Sequence, residues 1–128
     1  MSRRDLKKES YYDALNESLI RVEKTINLLN RLENNRLNID KEIVVKDISK
    51  TILDLELNLA SMCILLRKMS ENKFIELPVD LRRDMNSIIH SNRFDYDQDI
   101  IVYSQKGREE VNLDQLTMFC KHVLANDK

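Results

Sequence analysis

The chain has 128 residues, of which 42% are hydrophobic and 34% charged, and it holds one glycine and one proline, a composition typical of helical proteins with few tight turns. Its length allows one domain with its own core and is too short for two ordinary domains. With 21 basic and 22 acidic residues the formal charge is −1, which excludes binding to nucleic acid through an overall basic excess and leaves only a local contact.

Two long amphipathic helices are predicted for the first half of the chain. Apolar residues recur at steps of three and four from Tyr12 to Leu29, which predicts a helix over about residues 5–33. This spacing also permits a seam with a second subunit, but we expect the seam to lie within one bundle. A second helix is predicted over about residues 41–70, although the β-branched run in residues 41–48 also has strand propensity.

The second helix carries two apolar rows, which together make a wide apolar arc. We therefore expect it to be covered from more than one side and to form the centre of the core. The first row is Ile48, Ile52, Leu55, Leu59, Met62, Leu66 and Met69, and the second is Leu53, Leu57, Ala60 and Ile64.

Shorter elements follow Pro78, which suits the first turn of a helix over about residues 79–91. Residues 99–104 and 108–111 have strand propensity and predict a hairpin that turns at residues 105–107, where Gly107 is the only glycine. Asn112 or Asp114 can cap a last helix. The predicted fold is mainly all-α, an up-and-down four-helix bundle with a small β-hairpin before the last helix.

The sequence predicts no cofactor and no metal site. Cys63 and Cys120 lie far apart in apolar helical contexts without a metal-ligand spacing, so we expect two buried reduced thiols. Asp95, Asp97 and Asp99 alternate, but the glycine of a calcium loop is missing, and a solvated approach to the hairpin is the better interpretation.

The hydropathy pattern predicts a protein that is not inserted in a membrane. No stretch has enough consecutive apolar residues to span a bilayer, and the first ten residues lack the apolar segment of a signal peptide. We therefore expect a soluble, cytoplasmic protein.

The third helix carries a polar stripe opposite an apolar one. Residues seven apart on a helix share a face, two turns and ~10 Å apart along the axis. The polar stripe is Arg83, Asn86, Ser87 and His90, and the apolar one is Leu81, Met85, Ile88 and Ile89.

The polar stripe holds the side-chain types that metal-free RNA cleavage needs. That reaction deprotonates the 2′-OH, stabilises the phosphate and protonates the 5′-oxygen. A histidine exchanges protons near neutral pH, an arginine holds two phosphate oxygens, and asparagine or serine fixes an oxygen. The separation of Arg83 from His90 is awkward for one phosphate unless the helix end bends or the partners come from two chains. Each residue also has a structural interpretation, because Arg83 can pair with Asp80 or Asp84 and His90 can cap its helix.

The element order, with a third helix that ends in MNSIIHSNRF, resembles the HEPN superfamily, the higher eukaryote and prokaryote nucleotide-binding domains. Many active members carry an arginine, often followed by a polar residue, and then a histidine after four to six intervening residues. Arg83, Asp84 and His90 fit this pattern with six residues between arginine and histidine. The resemblance implies a single HEPN-like domain over residues 1–128 with Arg83 and His90 as catalytic residues, supported by Asn86, Ser87 and Asp84.

The resemblance further implies a metal-independent endoribonuclease that leaves a 2′,3′-cyclic phosphate. Active members are homodimers in which the two motifs form a composite cleft, and they act on RNA in toxin–antitoxin or antiviral-defence systems. A regulatory protein, such as a minimal nucleotidyltransferase antitoxin, is the implied partner.

Two alternatives stay open. In the commonest family pattern the arginine lies five positions before the histidine, where this chain has Met85, and a tyrosine often stands where it has Asn92. The chain can therefore be a catalytically inactive HEPN-like bundle that serves as a dimerisation or protein-binding module. It can also be an unrelated helical adaptor that dimerises through Tyr12–Leu29.

Overall fold

The computed structural model of the chain describes residues 2–35, 41–97, 99–104 and 107–126. The described part contains four helices and, before the last of them, one small antiparallel sheet, which confirms the predicted fold class. The elements are α1 (Arg3–Asn35), α2 (Lys41–Glu71), α3 (Val79–Ile89), β1 (Arg93–Asp97), β2 (Asp99–Ser104), β3 (Gly107–Val111) and α4 (Leu113–Ala125).

The two long helices pack against each other and supply half of the described hydrophobic residues that form the core. The predicted apolar row of α1 is buried against α2, so this seam lies within the chain and is not available to a second subunit. Helix α2 begins at Lys41, so residues 41–48 are helical and the alternative of a short strand is wrong. The buried residues of the two rows are Tyr12, Leu15, Leu19, Val22 and Leu29 on α1 and Leu55, Leu59, Met62, Leu66 and Met69 on α2.

The second apolar row of α2 is exposed, so the expectation that α2 is covered from more than one side is wrong for this row. Leu53, Leu57 and Ile64 are exposed at 51%, 60% and 42%. Helix α2 packs on α1, α3 and β1. No other described element lies over the second row, because the short C-terminal elements already pack elsewhere.

The hairpin prediction is confirmed, but the sheet has a third strand that we did not predict. Strand β2 pairs in antiparallel fashion with β1 on one side and with β3 on the other. In β1, Phe94 is buried and Tyr96 half-buried, whereas Arg93 and Asp95 form an ion pair at 3.0 Å. This segment is therefore an alternating strand and not the solvated approach that its carboxylates indicated. Gly107 has φ +115°, and Gln105 and Lys106 of the predicted turn lie outside the described residues.

Local chemistry sets the ends of the two short helices. Helix α3 begins after Pro78 and ends at Ile89, two residues before the predicted end, with His90 as its C-cap. Asn112, and not Asp114, caps α4, because its side-chain oxygen accepts a hydrogen bond from the Gln115 backbone N–H at 3.0 Å.

Cys63 and Cys120 are free and buried, as predicted. Burial raises the pKa of each thiol to about 12, so both remain protonated near neutral pH. In the part of the chain that the structure describes, no helix combines the length and the apolar composition that crossing a membrane requires.

Candidate functional site

A cleft of about 810 Å³ opens between α3 and β3. One of its walls is the predicted polar stripe, and the other is the first half of β3. Its lining residues are Val79, Arg82, Arg83, Asn86, Ser87, His90, Asn92, Gly107, Arg108 and Glu109. The structure therefore brings four of the five predicted site residues into one cavity.

The polar stripe faces the cleft because the apolar side of α3 is anchored in the core. Leu81, Met85 and Ile88 are buried, which leaves the opposite side of the helix for the cleft. Met85, at the position where the common HEPN pattern has arginine, is only 2% exposed. A guanidinium at that position would lie in the core, so in this chain only the longer spacing places an arginine beside the histidine.

His90 lies where the backbone leaves the helix. Its φ of −101° and ψ of 12° are not helical, and its backbone N–H donates to the Asn86 carbonyl at 3.0 Å. The cap uses the backbone of His90 alone, and the residue is exposed in the cleft. The His90 side chain therefore lies in the cleft at the C-terminal end of α3.

The lining of the cleft is locally cationic although the whole chain is not. Arg82 and Arg83 contribute two positive charges and Glu109 one negative charge, an excess of one, whereas the whole chain has a formal charge of −1. Arg108 also lines the cleft, but its guanidinium pairs with Glu110 at 3.0 Å on the other side of β3. Guanidinium groups bind phosphate through paired hydrogen bonds. The cleft therefore has the side chains that a local contact with an anion requires.

Glu109 and Arg108 are lining residues that the sequence analysis missed. The Ser87 hydroxyl donates a short hydrogen bond to Oε2 of Glu109, and its oxygen also lies 3.1 Å from the Arg83 carbonyl oxygen. One signal was present in the sequence: residues two apart on a strand share a side, so Glu109 faces the same way as the apolar Val111. That signal becomes useful only once β3 is known to pack beside α3.

Asp84 does not line the cleft, unlike the other predicted residues. Partial burial raises the pKa of its carboxyl group, and the nearby charges of Glu109 and Asp80 act in the same direction. Arg83 opposes them by favouring the charged form. Asp84 therefore acts on the cleft through its charge, which interacts with those of Arg83 and Glu109.

Replacing Asp84 with asparagine is expected to stabilise the protein at pH 7. The pKa of the Asp84 carboxyl group in the folded chain lies above the ordinary value of 3.8, so the folded chain binds this proton more tightly than the unfolded chain does. As the pH rises from 3.8 through the folded pKa, the carboxyl group becomes charged and the stability of the fold decreases. We expect a gain in the free energy of unfolding at pH 7, where the carboxylate is charged, and none at pH 3, where the group is protonated in the folded and the unfolded chain. Urea unfolding of the parent and of Asp84→Asn at both pH values measures this difference in the free energy of unfolding.

Asp80→Asn is the matched control for this measurement. Asp80 is an exposed acidic residue in the first turn of α3, where a negative charge stabilises the helix. Its replacement should lower the stability slightly at pH 7. A gain of the same size from both variants would show that net charge, and not the surroundings of Asp84, causes the effect.

Two other candidates lie apart from the cleft. His122 is exposed on α4 with its ring 3.1 Å from the Asn126 side-chain nitrogen. Asp95 pairs with Arg93, and the side chains of Asp97 and Asp99 lie outside the described residues. Among the residues described, no group of three or more His, Cys, Asp or Glu side chains is placed to hold a metal ion.

The cleft thus combines one imidazole, two guanidiniums and one carboxylate with the amides of two asparagines and a serine hydroxyl. Such groups can bind a phosphate and exchange protons with a bound ligand. The chemical interpretation rests on these contacts alone, because no family model, no curated protein and no solved structure matches the chain.

Proposed function

We propose that the protein is a metal-independent endoribonuclease of HEPN type. It acts on RNA as a cytoplasmic homodimer in a toxin–antitoxin or antiviral-defence system, where an antitoxin or other regulatory protein restrains it. The observation that carries the proposal is the cleft in which Arg83 and His90 lie together with a second guanidinium, that of Arg82. Its locally positive charge suits the phosphate backbone of RNA.

In this proposal each lining residue has a separate task. Arg83 holds two non-bridging oxygens of the phosphate in a fork and stabilises the charge that develops on them. His90, as the imidazolium, donates a proton to the departing 5′-oxygen. Asn86 fixes a ligand oxygen, and Ser87 holds the opposite wall of the cleft through its bond to Glu109.

The homodimer is supported by the exposed second row of α2. After Leu57 and Ile64 this row continues to Arg67, which lines a smaller cavity of about 360 Å³ together with Arg82 and Asn86. Arg82 and Asn86 also line the main cleft. A second copy that packs on this row therefore lies next to the cleft.

The proposal is tested by incubating the purified protein with a mixed RNA pool in EDTA, beside Arg83→Ala purified in the same way. The parent should produce 2′,3′-cyclic phosphate and 5′-hydroxyl ends, and the variant should be about 100-fold slower because it lacks the charge that stabilises the phosphate. Arg83 is an exposed side chain, so circular dichroism should show an unchanged fold.

Substrates without a free 2′-OH serve as the control for the proposed mechanism of cleavage. RNA of the same sequence with 2′-O-methyl groups should remain uncut, because the attacking oxygen is blocked. Equal cleavage by the parent and by Arg83→Ala would identify a contaminating nuclease and reject the proposal, as would the absence of cleavage by the parent.

A catalytically inactive dimerisation or protein-binding module is the second candidate, and the exposed row of Leu53, Leu57 and Ile64 favours it. Under this function the row is the binding surface and the cleft has no substrate. The assay separates the two functions, since parent and Arg83→Ala would then leave RNA equally intact.

A further inference from the structure

We propose that Glu109 is the proton acceptor of the cleft, so that a single chain carries every group that RNA cleavage requires. The inference rests on the proposed ribonuclease function. It adds a residue from β3 that is not part of the arginine and histidine pattern, and it removes the need for a composite site built from two chains.

The position of Glu109 follows from the alternation of strand β3. Val111, on the same side of the strand, is buried, whereas Arg108 and Glu110 lie on the other side and pair with each other at 3.0 Å. Glu109 therefore points to α3, where its carboxylate accepts a hydrogen bond from Ser87. This bond fixes one carboxylate oxygen and leaves the other for a ligand in the cleft.

The charges around Glu109 come from α3 and from its own strand. Across the sheet its partner on β2 is Val102, which carries no charge. Asp84 on α3 also interacts with Glu109 through their like charges. The titratable and charged groups that face it are Arg82, Arg83, Asp84 and His90 on α3, whereas its neighbours Arg108 and Glu110 lie on the other side of β3.

The reaction balances with the groups of one cleft. Glu109 takes the proton of the 2′-OH, the 2′-oxygen forms a bond to phosphorus, and the bond from phosphorus to the 5′-oxygen breaks. The departing 5′-oxygen takes a proton from the His90 imidazolium, which leaves a 2′,3′-cyclic phosphate and a 5′-hydroxyl. Glu109 then loses its proton to water and His90 gains one, so both return to their starting states.

A carboxylate paired with an imidazolium also accounts for the geometry of the cleft. His90 stands at the end of α3 and Glu109 on the facing strand, so the acid and the base approach the phosphate from two walls. Arg83 lies between Asp80 and Ser87 on α3 and can reach the non-bridging oxygens from the same wall as His90. No group from a second chain is needed for these three roles.

Glu109→Gln is the variant that tests this role, with Glu110→Gln as its matched control. Glutamine keeps the shape of the side chain and still accepts the bond from Ser87, so only the base is lost. We expect a rate of RNA cleavage about 100-fold below the parent for Glu109→Gln, and a rate within about twofold for Glu110→Gln, which lies on the other side of the strand.

The pH dependence separates a proton acceptor from a merely structural residue. The parent should show a bell-shaped profile, with an acid-side limb from a carboxylate and an alkaline-side limb from an imidazolium. Glu109→Gln should lose the acid-side limb and keep the other. If the variant is slow but retains both limbs, or if its rate equals that of the parent, Glu109 is not the acceptor.

Co-expression of Glu109→Gln with His90→Gln tests whether both groups act from one chain. A single-chain site predicts no recovery, because every cleft lacks one group. A composite site predicts that mixed dimers regain about one quarter of the parental activity, since half of the randomly formed dimers would hold one intact site. Such recovery overturns the single-chain part of the proposal, and a parent that cleaves no RNA overturns the proposed function itself.

Discussion

Replacing His90 with glutamine is expected to lower the rate of RNA cleavage by about 1000-fold and to leave the fold intact. Glutamine retains hydrogen-bonding capacity but cannot donate a proton near neutral pH, so the departing 5′-oxygen would leave as an alkoxide. The fold should not change, because His90 is exposed and caps α3 through its backbone N–H and not through its ring.

The other described histidine provides the matched control. His122→Gln makes the same chemical change on α4, at an exposed position outside the cleft. Single-turnover rates for the parent and both variants, with circular dichroism as the check on folding, compare the two sites directly. A loss of activity in His122→Gln equal to that in His90→Gln would contradict the role of His90.

A substrate with a sulfur in place of the 5′-oxygen tests the direction of the proton transfer. A thiolate leaves without being protonated, so this substrate should restore the rate of His90→Gln to near that of the parent. The sulfur substrate should not restore the rate of Glu109→Gln, because the attacking 2′-OH still lacks a base in that variant. If neither variant recovers, His90 acts by binding the phosphate and not as the general acid.

The polar wall of the cleft could be predicted from the sequence because helix periodicity is local. Seven residues fix the relative positions of Arg83 and His90, and no knowledge of the rest of the chain is needed. The buried apolar side of α3 then decides which way the stripe faces. The end of the helix was harder to predict, since α3 stops at Ile89 and His90 is its C-cap.

The other wall could not be predicted, because it depends on contacts between elements that are distant in sequence. Glu109 is 22 positions from Ser87, and nothing local to β3 indicates that it packs beside α3. Strand β1 carried a weak signal in the alternation of Phe94 and Tyr96, which its two carboxylates obscured. The exposed row of α2 shows a related limit, since periodicity finds an apolar surface but does not identify what covers it.

Replacing Leu59 with alanine is expected to reduce the free energy of unfolding by about 3 kcal/mol. Leu59 has no exposed surface and belongs to the row of α2 that packs in the core, so alanine would leave a cavity there. Leu57→Ala is the matched control, because it makes the same change on the same helix at a residue that is 60% exposed. Its expected cost is below about 0.5 kcal/mol, since alanine is also a good helix former.

Urea unfolding of both variants at several protein concentrations measures these costs and also tests the exposed row of α2. If a second copy covers the row, the unfolding midpoint of the parent should rise with protein concentration, and Leu57→Ala should weaken that dependence. Leu59→Ala should lower the midpoint at every concentration because its cavity lies within one chain. Equal losses for both variants at all concentrations would mean that Leu57 is buried within the chain, and would contradict the exposed row.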